Sequence, residues 1–156
     1  MKIPPIHKDI YIIAEAEINH NGNLSTALDM VKKAYELGAD AIKFQYIVAD
    51  EIAVPSSPYY TLFKKVELSH NDFRKIFTSA QDIGIDCFLT VPSIGTLPMV
   101  LDLKPPIIKI GSTNLTNLPL LEEVGKAQVP VLLSTGLGTL GEIEEALKAL
   151  NLPDDY

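Results

Sequence analysis

The chain has 156 residues, 47% of them hydrophobic, with 13 Lys and Arg against 20 Asp and Glu and a formal net charge of -7. That length supports one domain with a real core, and the hydrophobic content excludes a chain disordered by composition. The acidic balance argues against nucleic acid and anionic membranes as partners, which need basic patches, while leaving room for a locally positive pocket that takes a small anion.

Strand and helix patterns alternate along the whole chain. "DIYIIAEAEI" (9–18) reads as a first strand. The segment "LSTALDMVKKAYELG" places Leu24, Ala27, Leu28, Val31, Ala34 and Tyr35 on one helical face, and Gly38 is a natural stop. "ADAIKFQYI" (39–47) is a second strand. The polar, proline-containing stretch 48–68 that follows is long enough to suggest a functional loop. Ser69 and Asp72 have capping-box spacing ahead of a helix that buries Phe73, Ile76, Phe77, Ala80 and Ile83 and stops at Gly84. "IDCFLTV" is a third strand, followed by a poorer helix through "GTLPMVLDL". "PPIIKIGS" is a fourth strand, and Pro119 suits the first turn of the helix "LPLLEEVGKA". "VPVLLSTG" is a fifth, and Thr139 with Glu142 caps a helix burying Ile143, Ala146, Leu147 and Leu150.

The strands are nearly continuous apolar runs, as expected of a parallel sheet covered on both faces. About five β/α units in succession allow a doubly wound open sheet or an incomplete (β/α)8 barrel, since a complete one takes about 250 residues. Five strands of a sheet that is not closed would leave two open edges, so a homo-oligomer, or a larger protein that supplies the missing strands, is expected. The start "MKIPPIHKDI" lacks the apolar stretch of a secretory signal, and no run reaches the roughly 20 apolar residues of a membrane span. The single cysteine, Cys87, precludes a disulfide within the chain and fits a reducing, cytoplasmic setting, with the thiol a buried structural one.

In parallel β/α proteins ligands bind at the carboxyl ends of the strands. Those ends carry Glu15, Glu17, Asn19 and His20 on the first strand, Lys43 and Gln45 on the second, and Thr90 on the third. The fourth carries Lys109, Ser112, Thr113 and Asn114; the fifth carries Ser134, Thr135 and Gly136. Acids, lysines, hydroxyls and glycines converging this way suit a phosphorylated or carboxylated small molecule. Each residue alone has a plainer reading: a lysine can be a strand-end surface charge, Glu15 a structural partner for one, and His20 a turn residue. Two lysines at corresponding places are harder to dismiss. "KIGS" and "LSTGLG" present hydroxyls and backbone N–H groups ahead of helices, as phosphate-binding loops do, though neither is a Walker motif. No Cys/His pair has zinc-like spacing, and His7 and His70 sit in an N-terminal tail and a helix cap.

Taken together, "IIAEAEINHNG", "GADAIKFQ", "FLTVPS", "IIKIGSTNLTNLPLL" and "VPVLLSTGLGTLGEIEEA" resemble the sialic acid synthase family, in its order and at its approximate spacing, over almost the whole chain. The resemblance implies that residues 1–156 are the N-terminal part of a (β/α)8 barrel. It also implies condensation of phosphoenolpyruvate with an N-acylated hexosamine, giving a nonulosonic acid and phosphate. A divalent metal, manganese or magnesium, belongs to that chemistry. The metal-ligating histidines, the remaining barrel strands and an antifreeze-like domain that closes the site across a dimer would all lie beyond Tyr156.

By position, Glu15 and Lys43 match catalytic-face residues. Lys109, Ser112 and Ser134, with Lys43, match the surroundings of the phosphoenolpyruvate phosphate and carboxylate, and Gln45 matches a sugar-facing residue. Thr90, Asn114, Asn19 and His20 complete the expected substrate-binding set. The chain departs from the family pattern at Glu17, where a glycine is expected, at Val91 for a threonine, at Ser93 for a phenylalanine and at Asn114 for an acid. Strand alternation turns Glu17 the same way as Glu15 unless the chain has already turned. Two other functions stay open: a Schiff-base aldolase or lyase using Lys43 or Lys109, and a non-catalytic domain that binds a sugar phosphate.

Overall fold

The computed structural model describes residues 10–151. Asp9, the first residue of the expected first strand, His7 and the tail after Asn151 lie outside them. Five parallel strands form one sheet in sequential order: β1 (Ile13–Glu17), β2 (Ala41–Gln45), β3 (Asp86–Thr90), β4 (Ile108–Ile110) and β5 (Val131–Leu133). The longer helices are α1 (Leu24–Glu36), α4 (His70–Ile83), α6 (Leu118–Lys126) and α7 (Leu140–Leu150), with a short α5 (Leu97–Asp102) between β3 and β4.

One apolar cluster joins the helices to one face of the sheet. It contains Ala27 and Val31 of α1, Phe73 and Ile76 of α4, Val100 of α5, Leu120 and Val124 of α6, and Ala146 and Leu150 of α7. On the strand side it contains Ile42, Phe44, Leu89, Ile108 and Ile110. The opposite face carries its own smaller apolar layer: Ala41, Phe88 and Ile107, flanked by Tyr11, Ile13 and Leu132. Helices on a single face and strands in sequential order are the winding of a barrel wall. A doubly wound sheet needs helices on both faces and a switch in strand order, so that alternative is set aside. The chain is an α/β domain forming part of a (β/α)8-type barrel, with the inner face open.

Several local expectations change. The stretch 48–68 is not one loop: it folds into α2 (Ala49–Ile52) and α3 (Tyr60–Val66). Strands four and five are shorter than their apolar runs, with only Ile108–Ile110 and Val131–Leu133 paired in the sheet. Tyr35 and Leu147, expected on buried helix faces, are 51% and 50% exposed. Both sit at the margin of an apolar stripe and exceed what the neighbouring elements cover. The two capping boxes form as read, at Ser69–Asp72 and Thr139–Glu142.

Candidate active site

The carboxyl end of the inner face is built by β-strand alternation. Glu15, Lys43, Thr90 and Lys109 occupy adjacent strands in register: Glu15 pairs with Lys43, and Thr90 with Lys109. Ser134 follows β5, and its N–H donates to Ile110 O at 3.0 Å.

Lys43 is 3% exposed, which an ammonium group tolerates only when paired. It meets Glu15 Oε1 at 2.8 Å, donates to Thr90 Oγ1 at 2.9 Å, and contacts the Glu17 carboxylate. Lys109 is half-buried and donates to Ser134 Oγ at 2.6 Å and to Ile110 O at 2.5 Å. Burial, reinforced by the Lys43 charge and opposed by Glu15 and Glu17, holds its ammonium below the usual lysine value of 10.5. Ser112 opens a one-turn 3-10 segment (Ser112–Asn114) after β4, and a Cβ added at Gly136 would lie 3.6 Å from its Oγ. The β4 and β5 loops therefore adjoin, with Ser112 exposed at the mouth. Gln45 ends β2 on the Lys43 side, paired in register with Thr90.

Of three other expected residues, two are engaged elsewhere and one stands apart on a turn. His20 does not join the cluster. It is 1% exposed and its ring lies 6.0 Å from that of Phe44, a member of the helix-side core. Its Nδ1 accepts the Gly22 N–H at 3.1 Å, and burial lowers its proton affinity, so it is neutral with the proton on Nε2. That Nε2 has no partner among the described residues. Asn114 Nδ2 donates to Pro92 O at 3.0 Å while its Oδ1 accepts from Asn117 Nδ2 at 3.0 Å, so both ends of the amide tie the β3 and β4 loops together. Asn19 stands exposed on the turn after β1.

Glu17 is the contributor that strand reading left without a role. The strand bulges between Glu15 and Glu17, so Glu15 pairs with Lys43 and Glu17 with the very next residue, Phe44. Glu17 has φ 48, a left-handed backbone that explains why a glycine suits this position. Its sequence signals are a second acid two residues after Glu15 and the departure from the glycine that the resemblance expects there.

Among the described residues no three His, Cys, Asp or Glu side chains group as a metal site. Glu15 and Glu17 both face Lys43, so the residues present do not make a metal centre by themselves. A separate cleft of about 660 Å³ opens on the helix side between α4 and α5, lined by Arg74, Gln81, Cys87, Asp102 and Lys104, and shares no residue with the lysine cluster. Among the described residues no helix is long and apolar enough to cross a membrane.

An N,N'-diacetyllegionaminic acid synthase of Legionella pneumophila is 34% identical over 88% of this chain and 42% of its own length. An uncharacterized protein of Methanocaldococcus jannaschii is 42% identical over 90% of this chain and 42% of its own. The crystal structure of N-acetylneuraminic acid (sialic acid) synthetase from Leptospira borgpetersenii serovar Hardjo-bovis, in complex with citrate, superposes with a TM-score of 0.88 at 32% identity. It covers 92% of this chain and 50% of that one. The chain thus spans about half the length of the relatives it matches, or less. The NeuB family model matches residues 30–155, the stretch that carries Lys43, Thr90, Lys109 and Ser134, and the chain belongs to the NeuB family.

Proposed function

We propose that this chain supplies the phosphoenolpyruvate-handling wall of a nonulosonic (sialic) acid synthase. The observation that carries the reading is the convergence of Lys43 and Lys109, from β2 and β4, with Thr90, Ser134 and Glu15 on one open face. Two cations and several hydroxyls suit an enol phosphate bearing both a phosphate and a carboxylate. Lys109 spends two of its three N–H donors on Ile110 O and Ser134 Oγ and has one to offer an anion.

In this chemistry C3 of the enol attacks the aldehyde carbon of the open-chain N-acyl hexosamine, and the aldehyde oxygen takes up a proton. Water adds to C2, and the C2–O bond breaks to release phosphate. Glu15 is 55% exposed beside that face, placed to stabilise positive charge at C2 and to accept the proton water gives up. Gln45 lies at the rim where the sugar would sit. A divalent metal belongs to the same reading. Its ligands are expected outside the described residues. Cytoplasmic placement and assembly into a homo-oligomer complete the proposal.

The lowered proton affinity of Lys109 favours one second reading, a Schiff-base lyase with Lys109 as nucleophile. Incubation with pyruvate and borohydride separates the two. The synthase reading expects no adduct on Lys109 by mass spectrometry, together with phosphoenolpyruvate binding that inorganic phosphate competes away. A trapped lysine adduct would favour the lyase.

A further inference from the structure

The contacts of Lys43 leave it no spare donor. An ammonium carries three N–H bonds, and here they face Glu15, Thr90 and Glu17. The two carboxylates balance Lys43 and Lys109, so the face that is read as anion-binding carries no net charge in the free protein. An anion that reaches Lys43 must take the place of one partner.

The three partners are not held alike. Thr90 is buried in β3. Glu15 lies directly across from Lys43 in the β1–β2 register. Glu17 sits past the bulge at the rim of β1, its side chain 38% exposed, on a left-handed backbone that a long side chain seldom adopts. The bulge is what brings it to Lys43: β1 advances two residues while β2 advances one. A strained backbone that delivers a carboxylate to a buried cation, at the mouth of the site, has the form of a stand-in for a ligand.

We propose that Glu17 is an internal counter-ion for Lys43 which the anionic substrate displaces, so that Glu17 sets how tightly this face holds its anion. The proposal rests on the reading of the face as a phosphoenolpyruvate site and deepens it. Glu17 acts through Lys43 and has no contact with the reacting atoms. Its carboxylate keeps the buried ammonium neutralised while the site is empty and leaves toward solvent as the ligand's phosphate or carboxylate oxygen arrives.

Calorimetric titration of phosphoenolpyruvate into the protein and into its Glu17→Gln and Glu17→Gly variants tests this. Glu17→Gln removes the charge and keeps the side chain's size; Glu17→Gly also relieves the backbone. Both variants are expected to bind about tenfold more tightly than the unaltered protein, because a competing charge on Lys43 is gone. Unchanged or weaker binding by both, with the unaltered protein still binding, overturns the proposal and leaves the site reading intact. A gain in Glu17→Gly alone overturns it too, since that assigns the effect to backbone relief. No binding by any of the three overturns both the proposal and the site reading.

Discussion

Lys109 stands half-buried beside a second cation, and both circumstances depress its proton affinity. An anion beside it reverses that, so binding requires the protonated form and is lost as pH rises through the lowered value of the free protein. Above about pH 8, where a phosphate ester with its second pKa near 6 is already doubly charged, only the protein's groups titrate. Phosphoenolpyruvate affinity measured across the alkaline range is expected to fall with a midpoint below the ordinary lysine value of 10.5. A midpoint at or above 10.5 would remove Lys109 from the site. Cys87 gives a second residue-scale outcome. It is buried at the floor of the cleft between α4 and α5, and desolvation raises its thiol well above the usual range, so the reactive thiolate is scarce. A thiol reagent at pH 8 should label it only after denaturation. Strand alternation made Lys43, Thr90, Lys109 and Ser134 legible as neighbours, because period two decides the face. It could not show that Asn114 is spent on Pro92 and Asn117, or that His20 turns in against Phe44, because turn geometry and tertiary packing decide both.

The helix and turn elements are held by contacts of differing legibility. The Ser69 and Thr139 boxes follow from local spacing alone, and Ser69→Ala is expected to cost about 1 kcal/mol in a denaturant titration. The turn from β1 into α1 depends on a distant segment. Gly22 has φ 75, and an added Cβ would lie 2.2 Å from the Lys65 carbonyl oxygen of α3, with no flexible atom there to yield. Gly22→Ala therefore combines backbone strain with a backbone clash and is expected to destabilise by more than about 2 kcal/mol. A loss no greater than that of Ser69→Ala would contradict the packing of α3 against this turn. The helices α2 and α3 escaped sequence reading because they are short and separated by Pro55 and Pro58, so periodicity has too few turns to register.

At the scale of the molecule, the sheet has a covered helix side and an open inner side. β1 and β5 are its edges, and Ile10, Ile12, Leu137 and Leu140, close to them in sequence, are exposed. Edges and apolar surface of this kind pair with other strands. The 156 residues in isolation should self-associate at micromolar concentration in sedimentation, and a single non-associating species would mean that the edges are better protected than the exposures indicate. Sequential strand order was legible in the sequence only as one of two windings, because alternating β/α units fit both. The single helix-side core decides between them.

The proposed function stands on the face carrying Lys43 and Lys109 binding phosphoenolpyruvate. Calorimetric titration of that ligand into the unaltered protein and into Lys109→Ala tests it most directly. A charge-assisted contact is typically worth about 1.5–3 kcal/mol, so the substitution should weaken binding by at least about tenfold. Equal affinity in the two proteins would mean that phosphoenolpyruvate does not bind beside Lys109.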